Sequence, residues 1–307
     1  MDRIGYLPDP VRSHIVSFLP MKDAFRSTIL SIGWRGICSS LSKLEFTHQY
    51  HRDLFSRKTF KDLIERTLYL HDGSDVQRFR LEPIVDGETI CAHHVNAWIS
   101  FALLHNIQDL ELRFWLSVKP EKLPCRLFTS STLKVLSLSE MRSLKWPRII
   151  KFPMLKTFRL KNVRLPDEIT ANKLFSSCTF PALEDLSIRN WGFEIDTLSI
   201  CVPGLKCLEL LLPKKGLNLK VSIQNLRKIN YLGSVAPNFE SLNLLSLANA
   251  NFQLSSPDTF FSNDTDGESN SASNILLGLH NAETLYFGCR FIELCLILIL
   301  TYSDLFD

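Results

Sequence analysis

The sequence predicts an α/β protein. A short block of three helices comes first, and an irregular solenoid whose parallel strands form a horseshoe-shaped sheet follows it. Three observations carry this. Residues 1–46 are punctuated by Pro8, Pro10 and Pro20 and carry apolar residues at helical spacing. From Ile107 onward, a three-residue apolar phrase of constant internal spacing keeps returning. The composition is that of a folded chain, with 45% hydrophobic and 22% charged residues over 307 positions.

In the helical block, Asp9 is placed to cap a first helix, and Pro10 suits its first turn, where no backbone N–H is needed. Val11, Ile15, Phe18 and Leu19 recur at i, i+4, i+7 and i+8, which makes one apolar stripe, and Pro20 ends it. Asp23 caps a second helix carrying Phe25 and Ile29. A third segment holds Trp34, Ile37, Cys38 and Leu41 on one side and is weakened by Gly33 and Gly36. A unit of about 40 residues is marginal for an independent core. It must lean on a partner or on the rest of the chain, and some apolar surface is left for docking.

The next stretch, from Leu44 to Lys61, is mixed and basic without a clear period and is expected to be a connector with some helix. Thr67-Leu68-Tyr69-Leu70 is expected as a short strand ended by the turn signal His71-Asp72-Gly73, and Arg78 to Leu81 as another. Val95, Trp98, Ile99, Ala102 and Leu103 lie at helical spacing, which predicts a helix over 95–104 with a buried face.

The repeating phrase has the form L-x-x-L-x-L. It occurs at Ile107/Leu110/Leu112, Leu133/Leu136/Leu138, Leu155/Phe158/Leu160, Leu183/Leu186/Ile188 and Leu205/Leu208/Leu210. Weaker copies are Leu226/Ile229/Tyr231, Leu247/Ala250/Phe252 and Ala282/Leu285/Phe287. The first residues are 26, 22, 28, 22, 21, 21 and 35 positions apart. Most intervals fall in or near the roughly 20–29 residues of leucine-rich repeats. The long interval contains the polar stretch 255–274, an inserted loop. The last two residues of each phrase are two apart, so on a strand both point inward, and stacked strands share the core that none could form alone. Phe152-Pro153 and Phe180-Pro181 stand before Leu155 and Leu183, where a fixed turn brings the chain back. The outward positions include Asp109, Glu111, Arg113, Val135, Ser137, Ser139, Thr157, Arg159, Lys161, Asp185, Ser187, Arg189, Glu209, Lys228 and Asn230. Of these, Arg159, Lys161 and Arg189 fall on neighbouring strands and can form a positive patch for an acidic or phosphorylated segment.

Other chemistry is sparse. The net charge of +3, with no dense basic patch among exposed aromatics, argues against a nucleic-acid partner. Eight cysteines include no Cys-x-x-Cys pair and are expected as free or buried thiols. His93-His94 beside Cys91 falls short of a metal-ligand set, so no metal and no cofactor is expected. There is no glycine-rich phosphate loop and no nucleophile elbow. The N-terminus has no continuous apolar signal region. Phe291 to Leu300 is very apolar but is interrupted by Glu293 and is about half a membrane span, so it is expected as a last strand or capping segment. No membrane partner is expected, and the expected location is cytoplasmic and/or nuclear.

Leu7-Pro8, Ser17-Phe18-Leu19-Pro20, Lys22-Asp23-Ala24 and Leu30-Ser31 followed by Trp34-Arg35 resemble an F-box in order and spacing. The departure is Ile32-Gly33, where plant members usually have a basic pair. With the repeats behind it, the chain resembles a plant F-box/leucine-rich-repeat protein of the FBD group; Trp98-Ile99-Ser100 and the segment from Asn281 to Phe287 match that group as well. The chain is expected to lack the C-terminal FBD region of that group. Residues 291–307 match nothing in the pattern and are expected to mark a truncated member or a mispredicted last exon.

The resemblance implies an F-box over 1–46, a connector and first irregular repeat over 47–94, leucine-rich repeats over 95–290 with the loop 255–274, and an apolar tail over 291–307. It implies a non-catalytic substrate receptor of an SCF-type ubiquitin ligase. Leu7, Pro8, Ile15, Leu19, Pro20, Leu30 and Trp34 would lie at or beneath the interface with a Skp-family adaptor, and through it a cullin. Glu111, Arg113, Arg159, Lys161, Asp185, Arg189 and Glu209 would face an unknown target protein. The alternatives are a repeat scaffold whose degenerate F-box no longer docks and, by family analogy alone, a small-molecule sensor.

Overall fold

The computed structural model describes residues 7–19, 23–24, 36–37, 39–47, 60–83, 90–114, 120–189, 195–212, 218–223, 225–233, 238–239, 246–254, 272, 275–276, 279 and 281–303. The chain divides into two compact units, Met1–Pro147 and Arg148–Asp307. Both are α/β, and every strand pair described in them is parallel.

In the first unit, helix α1 covers Asp9–Ser17. Pro8, and not Asp9, takes its N-cap position, with the Pro8 carbonyl accepting from the amides of Val11 and Arg12 at 3.0 and 3.1 Å. Asp23–Ala24 and Gly36–Ile37 are helical, while Pro20, Phe25, Ile29, Leu30, Trp34 and Cys38 lie outside the described residues. Strands β1 (Lys43–Phe46), β2 (Arg78–Leu81), β3 (Asp109–Arg113) and β4 (Val135–Ser139) stack in chain order. β1 corrects two expectations: residues 43–46 close neither a helical block nor begin a connector, but pair residue by residue with β2. The phrase that defines the later strands is present here too, as Leu41/Leu44/Phe46 and Val76/Phe79/Leu81, and all six side chains are buried.

Helix α2 runs Phe60–Tyr69, where a strand was expected over 67–70. Phe60, Ile64 and Thr67 are buried at i, i+4 and i+7 while Tyr69 and Leu70 are exposed, so the period that decides is helical and begins before the apparent strand. Helix α3, Ala92–Leu104, buries Val95, Trp98, Ile99 and Ala102 as expected.

In the second unit β5 (Thr157–Lys161), β6 (Asp185–Arg189), β8 (Cys207–Leu212), β10 (Lys228–Gly233), β12 (Asn249–Leu254) and β13 (Thr284–Phe287) form one ladder. β7 (Thr197–Ile200), β9 (Asn218–Val221) and β11 (Asn238–Phe239) alternate with them along the chain and form a second, smaller parallel sheet. The paired inward residues of each phrase from Leu110/Leu112 to Ala250/Phe252 are buried. The final copy is not, since Leu285 is 44% exposed.

The returns between phrases explain the uneven intervals. Those of 35, 31 and 28 residues after Leu41, Val76 and Leu155 contain α2, α3 and helix α4 (Glu168–Leu174) respectively. The return of 26 contains a 3-10 turn at Cys125–Thr129, and the returns of 22, 21 and 21 after Leu183, Leu205 and Leu226 contain β7, β9 and β11. A helix advances about 1.5 Å per residue and a strand about 3.3 Å, so the same return distance takes more residues when it is helical. Asp167 caps α4 by accepting from the Thr170 amide at 3.1 Å. The helix is tied to β7 where the Ser199 amide donates to Asn172 Oδ1 at 2.8 Å.

Helix α5, Cys289–Ser303, replaces the strand alternative for the C-terminal apolar segment. It buries Phe291 and Leu294, and the Phe291 ring stacks on Phe252 of β12 with centroids 5.6 Å apart. Among the described residues, no helix is long and apolar enough to cross a membrane. The polar stretch 255–274 lies, save Ala272, outside the described residues.

Candidate functional site

Three surfaces assemble from the residues singled out above. The first is α1. Its stripe does not face a core: Val11 is 43%, Ile15 36%, Phe18 73% and Leu19 38% exposed, and Val16 is the buried residue. The His14 ring meets Phe18 edge-on at 4.7 Å. Leu7 is half-buried and Pro8 exposed. A helix that is one turn short of independent stability, and that with the two residues after its end shows water four large apolar side chains, has an unmet packing demand.

The second surface is the solvent face of β1 to β4. Strand alternation places Glu45, Arg78, Arg80, Asp109, Glu111 and Arg113 outward, and the register sets opposite charges beside one another. Arg78 reaches three carboxylates, Glu45 at 3.1 Å, Asp109 at 3.4 Å and Glu111 at 3.3 Å. Arg80 joins Glu111 at 3.5 Å to Glu82 at 3.4 Å, and Glu82 meets Arg113 at 3.7 Å. Glu111 and Arg113, both expected to face a target, are thus members of one internally compensated network. Arg78, Arg80, Glu45 and Glu82 were not among the expected site residues; the L-x-x-L-x-L phrase at Leu41 and Val76 is the signal that finds them.

The third surface is the solvent face of β5 to β12. A polar row crosses it: the Ser187 hydroxyl donates to Glu209 Oε2 at 2.7 Å, and Arg189 to Glu209 Oε1 at 2.6 Å. Asn230 Nδ2 donates to Glu209 Oε1 at 3.4 Å, and Asn251 Nδ2 donates to Asn230 Oδ1 at 3.0 Å. Partial burial pushes the Glu209 carboxyl up, but the hydrogen bonds from Arg189 and Ser187 outweigh it and hold its pKa below the ordinary value. Asp185 accepts from Thr157 at 3.4 Å and is hydrogen-bonded to the Cys207 thiol, whose pKa is raised by burial and by that carboxylate. Thr157, expected to point to solvent, is buried at 8% exposure under this contact. Arg159 and Lys161 are exposed, and neither has a carboxylate partner among the described residues.

The Cys91, His93 and His94 ligand atoms lie within 4.8 Å of one another, and no fourth His, Cys, Asp or Glu joins the group among the described residues. Two of the three are already engaged. They form a capping box on α3, the Cys91 sulfur accepting from the His94 amide and His94 Nδ1 accepting from the Cys91 amide at 3.2 Å. Desolvation, with His93 and Lys61 nearby, lowers the His94 pKa, which favours the neutral ring that the acceptor role requires.

Comparison with known proteins adds a family. The leucine-rich-repeat model of the FBD-associated F-box protein At5g56370 matches residues 95–214. Among curated proteins of Arabidopsis thaliana, the F-box/LRR-repeat protein At3g58930 is 30% identical over 324 aligned positions, covering 96% of this chain and 65% of that one. The FBD-associated F-box protein At4g10400 is 33% identical over 218 positions, covering 69% and 51%. The F-box/FBD/LRR-repeat protein At4g26340 is 29% identical over 214 positions, covering 69% and 49%. The chain spans about half to two thirds of the length of these relatives. No solved structure gives a significant match.

Proposed function

Because this chain belongs to the plant F-box/leucine-rich-repeat family, we propose that it is the substrate receptor of an SCF-type ubiquitin ligase. In this reading the N-terminal block docks a Skp-family adaptor, and through it a cullin, while the repeat faces hold a target protein. The observation that supports it best is the exposure of Val11 and Ile15 on α1 and of Phe18 and Leu19 just past its end, an apolar stripe turned to water in a block too small to hold itself. Leu7, Pro8, Pro20, Leu30 and Trp34 complete the proposed interface. Catalysis is positional: the receptor raises the effective concentration of the target beside a ubiquitin-charged enzyme held by other subunits, so no side chain of this chain performs chemistry. The proposed location is cytoplasmic and/or nuclear, where such assemblies work.

A pull-down of the full chain with a Skp-family adaptor tests the proposal. Capture is expected from the intact protein and is expected to be lost when Leu7-Pro8 is replaced by Ala-Ala, with the thermal melt unchanged. A folded intact protein that captures no adaptor overturns it.

A further inference from the structure

Resting on the receptor reading, we infer that the solvent face of β5 and β6 takes an acidic segment of the partner polypeptide, its carboxylate or phosphoryl oxygens held by Arg159, Lys161 and Arg189. Three relationships carry this. Lys161 stands directly opposite Arg189 across the β5–β6 pair, and Arg159 opposite Ser187, so three cations share one face of two adjacent strands. Arg189 is steadied by Glu209 at 2.6 Å, and Glu209 is in turn fixed by Ser187 and Asn230, so one of the three is held in place before anything binds. On the first unit the arginines of the equivalent face are matched by Glu45, Glu82, Asp109 and Glu111. Arg159 and Lys161 have no such match among the described residues.

The one carboxylate on the outward side of β5 and β6 is Asp185, which is occupied by Thr157 and Cys207. With Thr157 buried beneath Asp185, the outward residues of the two strands are Arg159, Lys161, Asp185, Ser187 and Arg189, with no aromatic ring on which a base could stack. Glu209 beside them repels a continuous polyanion. Both facts favour a short acidic peptide over a nucleic acid. Arg159 and Arg189 supply planar forks suited to carboxylate and phosphoryl oxygens.

The test measures fluorescence anisotropy of the full chain with three labelled Gly/Ser peptides: one carrying four glutamates, one with phosphoserines in their place and one with glutamines. An oligothymidylate serves as the polyanion comparison. Binding to the two acidic peptides but not to the glutamine peptide is expected, weakening as salt rises because the cations are exposed. The double reversal Arg159→Glu with Lys161→Glu is expected to weaken acidic-peptide binding by at least about tenfold. The charge-matched control Lys134→Glu with Lys145→Glu, at exposed lysines of the first unit, is expected to change it by no more than about twofold. Tighter capture of the phosphoserine peptide assigns the site to phosphoryl oxygens and equal capture to carboxylates; either supports the inference.

The inference is overturned if the intact chain ignores both acidic peptides, if the control loses as much as the double reversal, or if the oligothymidylate binds more tightly than either peptide. Adaptor pull-down on the same preparations separates the two claims. Adaptor capture without peptide binding removes this inference alone, and peptide binding without adaptor capture removes the receptor proposal alone.

Discussion

The rings of Phe152 and Phe180 lie parallel, their planes 4° apart and their centroids separated by 5.7 Å, and Phe158 of β5 closes the cluster at 5.2 Å from Phe180. Each of the two stands three residues before the first leucine of its phrase, the place that Val202 and Ile223 fill in the next two repeats. The Phe152 amide also donates to the Thr179 carbonyl at 3.0 Å, so ring stack and backbone bond join consecutive repeats at one point. Phe180→Ala leaves a cavity between two repeats. It is expected to destabilise the second unit by about 3–5 kcal/mol, read as a lower urea midpoint with an unchanged slope.

Phe18→Asp separates docking from folding. With Phe18 73% exposed, stability is expected to change by less than about 0.5 kcal/mol. Adaptor capture is expected to fall sharply. A large drop in melting temperature would instead place Phe18 in the fold of the block.

Arg78→Met isolates three carboxylates that one guanidinium now serves. The pairs are partly exposed, so the expected loss in the first unit is about 1–2 kcal/mol, shrinking in high salt. Arg78→Lys is expected to recover only part of it, since a single ammonium cannot span Glu45, Asp109 and Glu111 at once. Equal stability of Lys and Arg forms would show that charge alone, and not the fork, holds the face.

The Glu209 carboxyl makes a prediction with a sign. Its pKa is held below the ordinary value of 4.5, so it releases its proton more readily folded than unfolded. The stabilisation is therefore complete above about pH 5 and is lost as the pH falls through the lower, folded value. Glu209→Gln is expected to flatten the acid limb of a pH–stability profile. An unchanged profile would deny the Ser187–Glu209–Arg189 junction its energetic role.

Gly233→Ala tests close packing at the end of β10. A Cβ there would run into the Tyr231 hydroxyl and ring, and Tyr231 is 4% exposed, with burial pushing its hydroxyl pKa up. The ring has to move, and an expected cost of about 1–3 kcal/mol follows, measured by chemical denaturation. Tyr231→Phe combined with Gly233→Ala is expected to remove part of it, because the hydroxyl is the first atom met.

Much of this was legible in the residues because the repeat phrase states a local geometry. Two apolar positions two apart point the same way on any strand, and from Leu110 to Phe252 they do. The phrase at Leu41 and Val76 carries the same information, but its wider spacing hides it, and α2 and α3 are what widen it. Thr67 to Leu70 misled because four residues of strand-like composition lie inside a longer helical period that Phe60 and Ile64 set. The second sheet was not legible at all: Thr197–Ile200 and Asn218–Val221 alternate like any strand, and only their pairing with each other reveals a separate layer. Of the candidate sites, sequence supplied the outward positions but not their pairing. Glu111 and Arg113 are charged and outward as expected, yet saturated by Arg78, Arg80 and Glu82, which the residue pattern alone does not tell.

The row Arg159, Ser187, Glu209, Asn230, Asn251 also works as a ruler. Neighbouring strands of a sheet stand about 4.8 Å apart, so every second mark falls at about 9.6 Å. A polyproline-II segment laid across the strands turns once every three residues, advancing about 9.3 Å, and returns the same side of its chain to nearly every second mark. A β-segment returns its side chains every two residues, about 6.7 Å, and falls out of step at once. A segment lying across the ladder in step with every second strand would therefore carry the polyproline-II rise, and the variable returns behind the strands leave that graduation untouched.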